Sequence, residues 1–348
     1  MSHSDIPVEI ANSVLVSPEA ADEAFRVPPA DTPEKALRTL LAKPLRVWAS
    51  ESRRAVIKRK IDQAFSTGRP LTLVVPFGGY KHYWNTSAPE PDWAEVFQLE
   101  HMVRSLGPLA TGLPGGVRVE YVSEDFLVGE MDNYTSEALE SYAKVFRRLV
   151  VECNRRLPAG ISIDFWRLSE RYDTDAILRD LLDILPRQIG LFQALPREAQ
   201  DLQLRRSWRS VNWQGELDLG NLSDRERRET VVRARVLELT FSEFGFTVDR
   251  IGDYYERDLN ICTVFSWGKS WDNAAKQFLT LHSAKGCLVD HWIGRGVLIR
   301  RGAHIRRAIV SASQFQALAL DRQYSVPVQG PFRELSNYGQ IDLMVQKS

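Results

Sequence analysis

The sequence predicts an α/β protein built on a doubly wound, mainly parallel sheet, and three observations carry that expectation. Leu71, Leu73, Val74 and Val75 form a continuous apolar run without alternation, as in a strand covered on both faces. Helical and strand patterns then alternate up to about Asp173, which is how a parallel sheet with crossover helices is written in sequence. Beyond that point the pattern turns helical, and the final third carries short apolar runs separated by glycine and charged turns. The predicted architecture is therefore a Rossmann-like core with a helical insertion and a smaller mixed C-terminal part.

The elements follow in order. Residues 1–33 mix Ser, Pro, Ala and Asp without sustained periodicity and form a loosely ordered lead-in. A helix starts at Thr32-Pro33-Glu34 with Leu37, Leu40 and Leu41 on one face, and a second, Ser50 to Phe65, spaces Val56, Ile57, Ile61 and Phe65 helically. The apolar strand from Leu71 should be central in its sheet and should end at Pro76, which cannot donate to a ladder. Gly78-Gly79 and the polar, aromatic run Tyr80-Lys81-His82-Tyr83-Trp84-Asn85 make a loop. Asp92 then caps a helix whose third residue is Glu95, an aspartate version of the capping box. That helix should exit at Gly107-Pro108. Val117, Val119 and Tyr121 mark a second strand ending in Ser-Glu-Asp-Phe, and a helix runs from Thr135 or Ser136 to Leu157. Ile161 to Phe165 is the third strand. Helices then extend from Thr174 to about Thr240, one of them opened by a capping box at Ser223 to Glu226, with an irregular excursion from Leu204 to Ser223 between them. At least some of Ile261 to Trp267, Trp292 to Ile299 and Ala308 to Ser311 should be strands. The expected division is a lead-in over 1–33, an α/β core over 34–173, and a helical and mixed region over 174–348 that completes the pocket.

Composition bounds the function. The 348 residues can bury a sizeable core, and 44% hydrophobic with 26% charged residues is ordinary for a soluble globular protein. Lys and Arg number 45 and Asp and Glu 45, so no global field draws the chain to nucleic acid or to an anionic membrane. Cys153, Cys262 and Cys287 are too few and too widely spaced for a disulfide framework or a thiolate metal site, which fits a reducing cytoplasm. The N-terminus lacks a basic segment followed by an apolar core, and no stretch approaches the ~20 apolar residues of a membrane span. His82, His101, His282 and His291 have no ligand spacing, and no GxSxG, P-loop or GxGxxG motif occurs where its mechanism needs it; no metal is expected.

Ligands of open α/β sheets bind beyond the carboxyl ends of strands, so the loop after Val75 is the candidate site. Lys81 is either a desolvated base or Schiff-base amine, or a surface lysine beside a turn. Lys81 is expected to be needed for turnover rather than for folding, and its loop position implies that Lys81→Ala alters stability little, within the ~0.5 kcal/mol of surface changes. Asp92 and Glu95 are accounted for by capping and could also orient Lys81. Glu124 and Asp125 close the second strand in a sheet-edge turn. Tyr80, Tyr83 and Trp84 could stack on an aromatic substrate or pack as a lid. His304, flanked by Arg300, Arg301, Arg306 and Arg307, is the phosphate candidate, or else part of a solvated basic edge. On a single strand Arg300, His304 and Arg306 would share a face.

The run VVPFGGYK followed by PEPDWAEVFQLEHMV resembles the proline-aromatic-lysine loop and Pro-Asp-x-x-Glu helix entry of the isocyanide synthases, the family of the pyoverdine-cluster and yeast dityrosine proteins. VRVEYVSEDFLVGEMDNYTSEALESYAKVFRRL is similar to that family's strand, acidic turn and tyrosine-bearing helix, and IRRGAHIRRAIV to its late basic strand. The GGYKHYWNTSA loop is longer and more aromatic than the family's. The resemblance implies an enzyme of natural-product biosynthesis that converts the amino group of an aromatic amino acid to an isonitrile. Ribulose 5-phosphate supplies the carbon as co-substrate, with no cofactor. It implies catalytic roles for Lys81, Glu95 and His304, and substrate contacts for Tyr80, Trp84, Asp92, Glu124, Asp125, Arg300 and Arg306. It admits a homodimer and downstream biosynthetic enzymes as partners. Two other readings stand beside it: a non-catalytic binder of small molecules or sugar phosphates, or an enzyme acting on another amino-acid-derived substrate. A third, nucleic-acid stacking on LRRSWRSVNW, is opposed by the zero net charge.

Overall fold

The computed structural model describes residues 28–41, 51–77, 81, 90–155, 157–211, 219–244, 258–262, 294–301, 304–310, 315–316, 323–327 and 339–346. Two helices, α1 (Pro33–Leu41) and α2 (Glu51–Thr67), precede strand β1 (Leu71–Phe77). Helix α3 (Trp93–Gly112) leads to β2 (Val117–Ser123), and α4 (Asp125–Asp132) and α5 (Ser136–Asn154) lead to β3 (Ile161–Arg167). Three helices follow, α6 (Thr174–Gln193), α7 (Arg197–Ser210) and α8 (Asp224–Phe244). The remaining strands are β4 (Asn260–Cys262), β5 (Arg295–Arg301), β6 (His304–Val310), β7 (Gln323–Pro327) and β8 (Gln340–Gln346).

The first sheet is parallel, in the order β3-β2-β1-β4, so β1 is central as its apolar run predicts. Its two faces are both covered. Leu71, Leu73 and Val75, with their register partners Val117, Val119 and Tyr121, join the main core with α3 and α5. Val74, Val122 and Trp166 join a second cluster with Leu127 of α4 and Ile177 and Leu181 of α6. Strands buried on both sides have no polar face to alternate with, hence the unbroken run.

β1 continues past Val75 through Pro76, which pairs in register with Val122. The direction of the missing N–H explains this. Leu71 donates toward β2 at Gly116 and Thr72 toward β4 at Leu259, so even-numbered residues of β1 direct their N–H toward β4, which pairs with Thr72 to Val74 among the described residues. Pro76 therefore removes no bond from the β2 ladder.

Helix α3 is buried nearly all round, the pattern of a helix enclosed by other elements. It lies against the first sheet on one side and, on the other, against the second sheet, whose Leu298, Ile309, Ile341 and Leu343 complete the main core. The expected exit at Gly107-Pro108 is overturned: Pro108 lies inside the helix, which runs on to Gly112. Burial of Leu109 and Ala110 holds this last turn on the core, and the Ala30 N–H donates to the Pro108 carbonyl at 2.7 Å. Two further corrections concern helices. Asp125 opens α4 where only a turn was expected, and α7 covers Leu204 to Ser210 in place of an irregular excursion; residues 212–218 lie outside the described residues. The capping box at Ser223 and Glu226 is present, with Ser223 N–H donating to Glu226 at 2.8 Å.

The second sheet has the order β6-β5-β8-β7 and is mixed, β5 pairing antiparallel with β6 and parallel with β8. Its β5 approaches the start of α3 so closely that a Cβ on Gly296 would fall 2.3 Å from the Ala94 nitrogen, which only glycine allows. Among the described residues no helix is long and apolar enough to cross a membrane, and no group of three His, Cys, Asp or Glu is placed to hold a metal.

Candidate functional site

The carboxyl end of β1 delivers the chain to Lys81, which is 1% exposed and adopts a left-handed backbone at φ 61°. A non-glycine residue in that conformation is uncommon and is held here by its side chain. The ammonium lies 3.1 Å from Asp92 Oδ1 and 3.1 Å from Glu95 Oε2, and it donates to the Gly294 carbonyl ahead of β5. Three donors thus meet three acceptors. The surface alternative for Lys81 is overturned. Two carboxylates and a carbonyl repay the cost of desolvating the charge, and the polar character of the surrounding sequence gives no hint of them.

Asp92 caps α3 as predicted. Its Oδ1 accepts from the Ala94 N–H at 2.7 Å and also from the Gly296 N–H at 3.0 Å, so the cap ties the helix to β5. Glu95 returns the bond, Oε2 accepting from the Asp92 N–H at 2.8 Å. Its other oxygen accepts from the Tyr142 hydroxyl at 2.9 Å, and the Tyr142 ring stacks on Phe146 within α5. Lys81, Asp92, Glu95 and Tyr142 therefore form one network joining β1, α3, α5 and β5. Asp92, at 18% side-chain exposure, is its wettest member; Glu95 is wholly buried.

Burial pushes the Glu95 carboxyl up to about 8; the Lys81 ammonium opposes this and the Asp92 carboxylate adds to it. Charge balance gives the same direction. One ammonium with two ionised carboxylates leaves a net negative charge in the core, and a proton on Glu95 makes the set neutral. A carboxyl titrating near neutrality is equipped to take and return protons.

The other sequence-derived candidates are dispersed. Glu124 and Asp125 are buried at the end of β2, an interior strand, so they do not form a sheet-edge turn. The Asp125 carboxylate accepts from the Ser169 N–H at 3.2 Å and from the Ser169 hydroxyl, which fastens α4 to the turn after β3. Tyr80, Tyr83 and Trp84 lie outside the described residues. The common face foreseen for Arg300, His304 and Arg306 is also overturned. These residues belong to two antiparallel strands, with Arg300 opposite Ile305, Arg301 opposite His304 and Ile299 opposite Arg306. Because cross-strand partners share a face and neighbours alternate, Arg300 shares its face with Arg307, while His304 and Arg306 occupy the reverse. Arg307 is the arginine that meets α3: its guanidinium lies 5.9 Å over the Phe97 ring, and burial lowers it to about 10. The division of this stretch into two antiparallel strands was the missing signal, and the glycine at 302 is the one sequence cue to it.

The fold and these residues define an α/β protein whose candidate site is a buried lysine-carboxylate-tyrosine network at the carboxyl end of the central strand. It lies where the strand order switches between β1 and β4, the place at which such sheets bind ligands. No protein-family model matches the chain, and no curated protein matches it in sequence. Among solved structures, the crystal structure of the PvcA protein from Pseudomonas aeruginosa matches with a TM-score of 0.51 at 14% identity, covering 94% of this chain and 99% of that one. What is shared at that identity is the fold.

Proposed function

We propose that this chain is an isocyanide synthase-like enzyme, forming an isonitrile from the amino group of an aromatic amino acid with ribulose 5-phosphate as carbon donor. The observation that carries the proposal is the buried Lys81-Asp92-Glu95-Tyr142 network at the switch point, with Glu95 titrating near neutral pH. Support comes from the motif resemblance between Leu71 and Asp173 and from the fold shared with the PvcA protein. In this reading Glu95 accepts and returns the protons of the substrate amine. Lys81 holds both carboxylates in place and supplies their counter-charge. Arg300 and Arg307 are the guanidinium candidates for an anionic substrate group. The metabolic setting is natural-product biosynthesis in the cytoplasm.

The test is incubation of the purified protein with ribulose 5-phosphate and each proteinogenic amino acid, with mass spectrometry for an isonitrile. Product is expected with an aromatic amino acid and absent in Glu95→Gln. Loss of isonitrile formation with every amino acid would refute the proposal. The second reading, a binding protein on this fold, is favoured by one observation: all three Lys81 donors are engaged, so the amine is not held as a nucleophile. Saturable ligand binding with no turnover would select it.

A further inference from the structure

Gln98 lies one turn along α3 from Glu95, is fully buried, and has no hydrogen-bond partner for either its amide nitrogen or its amide oxygen. Residues three apart on a helix are neighbours on one face, their Cβ atoms about 5–6 Å apart, so Gln98 shares the face of α3 that carries Glu95. Ala94, four residues before it, is the residue whose nitrogen meets Gly296 of β5. Gln98 thus stands at the seam between the Glu95 side of α3 and the side that faces the second sheet. Burying an amide with neither end satisfied is costly, whereas methionine or leucine would fill similar space without that cost. The amide belongs to the small class of buried polar groups that need a specific explanation, and a ligand group entering beside Glu95 supplies one.

The chemistry of that group follows from the amide. An anionic oxygen would satisfy the nitrogen alone, and an ammonium the oxygen alone. Hydroxyls both donate and accept, and two adjacent hydroxyls satisfy both ends of a carboxamide. We propose that Gln98 is a recognition residue of the Lys81-Asp92-Glu95 site, hydrogen-bonding hydroxyls of a polyhydroxylated co-substrate through both atoms of its amide. This rests on the reading above, in which that co-substrate is a ketose phosphate.

The experiment compares wild type with Gln98→Met and Gln98→Leu, by thermal melts alone, with ribulose 5-phosphate and with unphosphorylated ribulose, and by steady-state kinetics. Both variants are expected to melt at or above wild type without ligand, because the unsatisfied amide is gone. The melting shift that the sugar gives wild type should disappear. The KM for ribulose 5-phosphate should rise by roughly ten- to a hundredfold, about the effect of two lost hydrogen bonds, with the amino-acid KM within about twofold. Variants that both melt several degrees below wild type would overturn the proposal, since the amide would then have a structural partner such as a buried water. So would variants that retain the sugar-induced shift or the KM. If unphosphorylated ribulose shifts wild type but not the variants while no isonitrile forms, Gln98 keeps its role and the assigned reaction falls. If isonitrile forms and the variants keep their KM, the reaction stands and Gln98 loses its role. Failure of either sugar to shift wild type, with no isonitrile formed, sinks both.

Discussion

The Lys81 cluster after β1 and the Arg167 cluster at the end of β3 are made of the same chemistry at similar distances, and they differ in exposure. Lys81 lies 3.1 Å from two carboxylates with its side chain 2% exposed. Arg167 contacts Glu140 at 2.5 Å and Glu170 at 3.1 Å, where the glutamates are 57% and 30% exposed. In the wetter cluster burial is the largest single effect on Glu170 and raises it, but the Arg167 N–H, Arg147 and the Arg167 guanidinium together outweigh burial and hold the carboxyl below its ordinary value. In the dry cluster the balance reverses, and Glu95 rises despite an ammonium at salt-bridge distance. Separation alone therefore does not rank ion pairs. The solvent lost on folding decides whether a nearby cation can offset desolvation.

Four measurements would break or sharpen this contrast, the largest first. Lys81→Ala leaves the Asp92 carboxylate and the Glu95 carboxyl without their counter-charge and donor in a dry site and should cost about 3 kcal/mol in denaturant unfolding. A loss near 0.5 kcal/mol would mean the site is wet. The second concerns pH. Glu95 binds its proton more tightly folded than unfolded, so its contribution to stability is complete below about 4.5 and is lost as pH rises toward about 8, by at most ~1.4 kcal/mol per pH unit. Glu95→Gln should remove that part of the slope, and an unchanged slope would show that Glu95 ionises normally. Third, Tyr142→Phe takes the donor from Glu95 Oε1, a loss of roughly 1–2 kcal/mol, and should carry the Glu95 titration higher, since that bond lowers it. The smallest effect belongs to the exposed cluster. Glu140→Ala should change stability by about 0.3 kcal/mol, diminishing further in high salt. A change comparable to that of Lys81→Ala would erase the distinction between the clusters.

Particular residues show how far the sequence reaches. The run Leu71 to Val75 and the Asp92-Glu95 box were legible because each is a local pattern with one physical cause, burial on both faces or capping of orphan N–H groups. Pro108 misled because a proline's cost to an isolated helix was outweighed by burial of the turn beyond it. Arg300, His304 and Arg306 misled because they fall on two antiparallel strands whose register sets Arg301 opposite His304, an odd-with-even pairing that reverses the parity on which a shared face depends. Gln98 gave no signal, since a glutamine within an apolar helix pattern has the same sequence appearance whether its amide reaches solvent or is buried unpaired.

By itself the sequence determined the α/β class, the central place of β1, and the start of α3 at Asp92, all of which rest on interactions spanning a few residues or on simple periodicity. Only the tertiary structure decided that Lys81 is buried against Asp92, Glu95 and the Gly294 carbonyl, that Tyr142 reaches Glu95 from α5, and that Arg307 faces α3. Those partners are separated by 47 residues for Tyr142 and Glu95 and by 213 for Lys81 and Gly294. Whether a charge is desolvated or hydrated depends on which distant segments close over it, a property of packing that no local pattern encodes.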